Sequence, residues 1–258
     1  MCGILAFSGD NTPTNRRIVH DVMAYLSLRG THATGIAYHD LSWGVGIAVE
    51  PIGAEQFMVR HPIIELCPPE AVPVLGLIAH TRYSTSDIAW NLPLIREGRA
   101  LVMNGVISQE LPCDWPGADI MEYETGNDAE IALMYALSEM RGQLPGSFAC
   151  CELADGEVLC YRNTDRPLWW GHGRDYTIVA STKDALLRSK VSNIKNLLPG
   201  RVYDVFPNGL VPRIREMDYR PVTLALGSST PQPEVLFETD PIDQQSAELL
   251  YGDLSCLL

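Results

Sequence analysis

The chain opens Met1-Cys2-Gly3-Ile4-Leu5-Ala6-Phe7, with a cysteine directly behind the initiator. Removing one methionine leaves a thiol and a free α-amine on the same residue. A thiol with a reference pKa of about 8.5 is a strong nucleophile, and an α-amine near about 7.7–8.0 can take a proton at neutral pH. Cys2 is thus a candidate nucleophile that carries its own base; equally, it is a small apolar residue opening a buried strand. Three further polar clusters stand where strands or loops end, where chemistry is usually placed on a β scaffold. In Leu77-Ile78-Ala79-His80-Thr81-Arg82-Tyr83-Ser84-Thr85, an arginine follows an apolar run, suited to clamping a carboxylate or to a surface ion pair. Asn104-Gly105 offers an amide and an unhindered backbone N–H, which suits an oxyanion hole or a hairpin turn. Asp128, in Thr125-Gly126-Asn127-Asp128-Ala129-Glu130, can hold an ammonium or serve as an acid at a helix start.

The elements that must position these groups are many short strands and few helices. Residues 2–7 read as a buried strand. Thr12-Pro13-Thr14 then caps a helix whose Ile18, Val19, Val22, Met23 and Leu26 share one face before Gly30 stops it. Apolar or alternating runs predict strands at 34–38, 43–49, 73–79, 100–103, 147–153, 157–161, 176–180 and 201–206, with Pro207-Asn208-Gly209 as a tight turn after the last. Helices are predicted from Asn127 to about Met140 and from Lys183 to Ser189. No internal repeat is visible. From Gly227 the composition changes to Ser-Ser-Thr-Pro-Gln-Pro and then an acidic stretch without basic residues, so residues 2–220 are expected to form the folded domain and 221–258 an acidic linker and tail suited to docking.

Composition narrows the classes of function. With 258 residues and 46% hydrophobic residues the chain can bury a sizeable core. A net charge of −13 repels nucleic acid and anionic membrane, and no apolar stretch reaches the length of a membrane span. The seven cysteines, at 2, 67, 113, 150, 151, 160 and 256, are odd in number and contain no CxxC pair, so neither a disulfide framework nor a metal site is expected; a reducing cytoplasm fits best.

Taken in order, Cys2-Gly3-Ile4, Arg29-Gly30 with Gly35, His80-Thr81-Arg82-Tyr83-Ser84-Thr85, Asn104-Gly105 and Asp128-Ala129-Glu130 resemble the glutaminase domain of class II glutamine amidotransferases, which are N-terminal-nucleophile hydrolases. The likeness is to the glucosamine-6-phosphate synthase and amidophosphoribosyltransferase type and spans residues 2 to about 215. It implies an α+β fold, a four-layer α/β/β/α sandwich. It implies Cys2 attacking the carboxamide of L-glutamine, and Asn104 with the Gly105 N–H holding the oxyanion. Arg82 would take the substrate carboxylate, Asp128 its ammonium, and Tyr83 and Thr85 would line the pocket. Arg29 and Gly30 would buttress the nucleophile, and no cofactor is implied. The sequence departs from that pattern at His32, where an aspartate is common, and at Asn91-Leu92-Pro93-Leu94, where a histidine is often found. No acceptor domain follows, so the ammonia is expected to serve a synthase on a separate chain. A free-standing amidase of the same superfamily and a catalytically silent binding relative are the alternatives.

Overall fold

The first strand, β1 (Gly3–Asp10), alternates its side chains between two apolar environments, and this sets the architecture. Ile4 and Ala6 pack on one side with residues of a second sheet; Leu5 and Phe7 pack on the other with helices. A strand apolar on both faces must be covered on both. The computed structural model describes residues 2–40, 44–83 and 90–216. Within them the chain runs β1, α1 (Pro13–Leu26), β2 (Ala33–Asp40), β3 (Gly44–Glu50), α2 (Ala54–Arg60), α3 (Ile63–Leu66), β4 (Val74–Arg82), β5 (Leu94–Arg96), β6 (Arg99–Val106) and α4 (Ala129–Leu137). There follow β7 (Ser147–Ala154), β8 (Glu157–Arg162), β9 (Trp169–His172), β10 (Tyr176–Ala180), α5 (Lys183–Arg188), β11 (Lys195–Asn196), β12 (Arg201–Phe206) and β13 (Gly209–Glu216).

The strands form two sheets, ordered β11-β9-β10-β1-β4-β2-β3 and β13-β12-β8-β7-β6-β5, with antiparallel neighbours throughout. One core joins Ile4, Ile78 and Val179 of the first sheet to Val102, Phe148 and Tyr161 of the second and to Ile131 and Leu133 of α4. Another joins Leu5, Phe7 and Leu77 to Val22, Met23 and Leu26 of α1, Phe57 of α2 and Leu186 of α5. Each of these fully buried large side chains contributes about 1.5–3 kcal/mol.

Every strand and helix expected from the sequence is present, with ends shifted by a few residues. The Asn127–Met140 helix begins at Ala129 and ends at Leu137, and the turn after β12 is formed as expected, with Phe206 paired to Gly209. The short elements β5, β9, β11, α2 and α3 were not expected, and neither was the strand β13. The α1 start is legible in chemical detail: Thr12 accepts a hydrogen bond from the Asn15 N–H at 3.2 Å, and Pro13 fills the first turn. A buried carboxylate ties the far end of α4 to the second sheet. Glu152 of β7 takes two N–H bonds from Arg141, at 2.8 and 2.9 Å, and one from Arg99 at 2.7 Å. Burial alone would raise the Glu152 pKa; the hydrogen bonds and charge of Arg141, with Arg99 beside it, outweigh burial and hold it below the usual value. No helix among the described residues is long and apolar enough to cross a membrane.

Candidate active site

Strand register brings the sequence motifs together. Gly3 of β1 pairs with Thr81 of β4, so Cys2 enters the sheet beside Arg82, and its Sγ lies 3.9 Å from the Tyr83 carbonyl oxygen. Gly30 closes the turn after α1 against the same strand: a side chain there would stand 2.6 Å from both the Thr81 oxygen and the Tyr83 nitrogen, so the position requires glycine. Across the gap between the sheets, β6 presents Asn104 and Gly105, paired with Ala149 and Phe148 of β7. They lie inside a strand, which rules out the hairpin-turn reading.

A cavity of about 560 Å³ opens between these elements, lined by Cys2, His80, Arg82, Tyr83, Asn104, Gly105 and Asp128, with Trp115, Asn127 and Arg166 among its other walls. This volume is within the range of small-molecule sites. Of the residues singled out in the sequence, Arg29 and Gly30 stand behind the cavity and do not line it; Thr85 lies outside the described residues, as does the 221–258 segment.

Arg82 is held by backbone and side-chain oxygens of the 90–91 segment. Its Nη1 donates to the Trp90 carbonyl at 2.6 Å and to Asn91 Oδ1 at 2.7 Å, and Asn127 Nδ2 donates to the same Trp90 carbonyl at 2.9 Å. The 90–91 segment therefore links the arginine motif to the start of α4. Asp128 stands at the N-cap position of that helix, but its side chain makes no capping bond. Its Oδ2 accepts from the backbone N–H groups of Ile107 at 2.6 Å and Ser108 at 3.3 Å, while Asn127 Oδ1 takes the Ala129 N–H. Glu130, buried two residues on, accepts from the Glu124 and Thr125 N–H groups and from the Thr125 hydroxyl and so fixes the loop before α4.

Burial raises the Asp128 pKa, partly opposed by the Ile107 and Ser108 N–H groups and the charge of Arg82. A cationic ligand group would restore the favoured carboxylate. Burial, and then the charge of Arg82, push His80 down to about 3, so its imidazole is neutral at working pH. Asn104 is 3% exposed, and its Nδ2 has no partner among the described residues. An unmet buried donor costs about 1–3 kcal/mol, and an oxygen bound in the cavity recovers it. Arg29 is lowered by burial first; the charge of Cys2 opposes this and that of Arg166 adds to it, which puts both close to Arg29.

The raised Asp128 pKa has a testable sign. Its folded-state pKa exceeds the unfolded one, so stability is lost as pH rises through that interval and is not regained above it. Asp128→Asn keeps an acceptor for Ile107 and is expected to melt higher than the parent at neutral pH. Its KM for a substrate that presents an ammonium group should rise by roughly tenfold or more with the loss of a charge-assisted contact. Thermal melts at several pH values, with steady-state kinetics, check both; a variant that melts lower and binds equally well contradicts the assignment.

Reading the sequence did not find Trp90 and Asn91 as the partners of Arg82, nor Arg166. The dense polar run Asn163-Thr164-Asp165-Arg166 at the end of a strand was the available signal for Arg166.

No family model and no curated protein sequence matches the chain. Solved structures do. A glutamine phosphoribosylpyrophosphate amidotransferase from B. subtilis, solved with ADP and GMP, superposes with a TM-score of 0.66 at 17% identity, over 85% of this chain and 50% of its own. The structure of an allosteric regulatory enzyme of purine biosynthesis superposes with a TM-score of 0.68 at 18% identity, over the same shares. The chain has the class II glutamine amidotransferase fold. At such identities the likeness concerns the fold, and the chain spans about half the length of these two structures.

Proposed function

We propose that the chain hydrolyses L-glutamine to glutamate and ammonia through Cys2 and delivers the ammonia to a synthase on a separate polypeptide. The observation that supports this reading is a single cavity that gathers Cys2, Arg82, Asn104, Gly105 and Asp128, residues of four separate sequence motifs. Arg82 takes the glutamine α-carboxylate and Asp128 the α-ammonium, which directs the carboxamide toward Cys2. With Met1 removed, the Cys2 α-amine accepts the thiol proton as Sγ bonds to the amide carbon, and the carbonyl electron pair moves onto oxygen. Asn104 Nδ2 and the Gly105 N–H hold that oxygen. Collapse expels ammonia, protonated by the α-ammonium, and leaves a γ-glutamyl thioester; water, deprotonated by the same amine, releases glutamate and the thiol. We read the packing of α1, α2 and α5 on one sheet and α4 on the other as the four-layer sandwich of N-terminal-nucleophile hydrolases. A cytoplasmic setting, in which Cys2 stays reduced, belongs to the same proposal.

Two substitutions separate binding from chemistry. Arg82→Lys keeps the charge and loses the planar fork, so KM for glutamine should rise roughly tenfold with little change in kcat. Asn104→Ala should lower kcat by roughly 10²–10³ with little change in KM, because its contact strengthens as charge develops on the oxygen. Steady-state release of glutamate and ammonia measures both. Loss of binding in each variant would show that these roles are misassigned.

A further inference from the structure

Arg166 is a cation that this reaction scheme does not use. It lies between β8 and β9 and lines the cavity with Cys2, Asn104 and Gly105. Its backbone is firmly held. Arg162 Nη1 donates to the carbonyls of Asn163 at 2.9 Å and Arg166 at 3.1 Å; Asn163 accepts from the Phe148 and Asp165 N–H groups and donates to the Gly146 carbonyl at 2.7 Å. The side chain is anchored as well: Arg166 Nε donates to Ser147 Oγ at 2.9 Å. Ser147 pairs with Val106, and its carbonyl oxygen is the nearest atom to the point where a side chain on Gly105 would stand. The guanidinium is therefore fixed one strand away from the Gly105 backbone. Among the described residues its Nη groups have no hydrogen-bond partner, and no carboxylate pairs with it. The glutamine zwitterion is already matched by Arg82 and Asp128, so substrate charge does not account for Arg166.

We propose that Arg166 is a further functional residue of the hydrolysis, its guanidinium stabilising the negative charge that appears on the carbonyl oxygen when Cys2 attacks. As the Sγ–C bond forms, the carbonyl electron pair moves to oxygen; on collapse it returns and the C–N bond breaks. Arg166 stays protonated throughout and transfers no proton. A guanidinium suits this role because it remains charged at any working pH, and a charge anchored in advance needs no rearrangement as the oxyanion forms. The other charged groups near this point are Arg29 behind the nucleophile and Arg82, Asp128 and Glu110 in the cavity wall, with His80 neutral.

The inference rests on the proposed glutamine hydrolysis, so the test uses two substrates. L-Glutamine requires amino-acid recognition. p-Nitrophenyl acetate forms the same kind of oxyanion on a thiol without it. Arg166→Met should lower kcat on glutamine and the ester rate by roughly 10–100-fold each, with KM for glutamine changed less than about threefold. Arg166→Lys should recover part of the loss. Ser147→Ala, which removes only the anchoring hydroxyl, should lose several-fold and keeps the test open if Arg166→Met fails to fold. Unchanged rates in Arg166→Met and Ser147→Ala, or a loss confined to KM, overturn the inference. Ester turnover that needs both Cys2 and Arg166, beside inert glutamine, supports it and overturns the glutamine reading; a parent protein inert toward both substrates overturns both.

Discussion

A Cys2→Ala variant is expected to lose glutamine hydrolysis by a factor on the order of 10⁴ or more while melting at the temperature of the parent. The two halves of this expectation have separate causes. Both half-reactions of the proposed cycle pass through the Sγ–C bond, so nothing else in the cavity can take over. The fold does not depend on the thiol, because Cys2 is only half-buried, precedes the first residue of β1, and its Sγ contacts the Tyr83 carbonyl at a distance of 3.9 Å. Alanine fits the same backbone. Glutaminase assays and thermal melts on the same preparations give both readings. Residual activity within tenfold of the parent would place the nucleophile elsewhere, among Cys256, outside the described residues, and Cys67, Cys113, Cys150, Cys151 and Cys160. Of the described five, four are buried, and Cys113 does not line the cavity.

Gly105→Ala should be the most damaging single-methyl change. The added carbon would stand 2.7 Å from Phe148 Cα and closer still to the Ser147 carbonyl oxygen, both backbone atoms of the neighbouring strand. Rotating a side chain cannot relieve that contact, so β6 and β7 must separate. Overpacking of this kind costs about 3 kcal/mol, which at this chain length lowers Tm by roughly 6–12 °C. Activity should fall further than stability, by roughly 10²-fold or more at temperatures where the variant stays folded, because the displaced backbone carries the Gly105 N–H proposed above to hold the oxyanion. Circular-dichroism melts with kinetics well below Tm separate the two effects. A variant with the parent's Tm would show that the strands have room to spare.

The legible parts of this fold were those whose cause is local. β1 is a run of apolar residues, α1 carries its cap and its 3.6-residue stripe, and the turn at Pro207-Asn208-Gly209 announces itself. β9 and β11 were not legible, because four and two residues become strands only by pairing with each other and with β10, far along the chain. The site follows the same division. Its residue types stood in motifs, and the partners that hold them lie in other elements. That the Asp128 side chain turns from its own helix to the Ile107 N–H, 21 positions away, could not be read from the motif. Asn104-Gly105 could not be told from a turn until β7 was seen beside it. That Trp90 and Asn91 hold Arg82 could not be read from the motif itself.

The central claim is that Cys2 acts as an N-terminal nucleophile, with its own α-amine as base. The measurement that tests this most directly compares protein beginning at Cys2 with protein retaining Met1, by intact mass, by glutaminase assay and by labelling with the glutamine-like electrophile 6-diazo-5-oxo-L-norleucine. In the retained form the Cys2 nitrogen is an amide and accepts no proton at neutral pH. Processed chains are predicted to release glutamate and ammonia and to gain one equivalent of label at Cys2, and chains retaining Met1 to do neither. Robust hydrolysis by chains that all begin at Met1, or label carried by another cysteine, would contradict the mechanism.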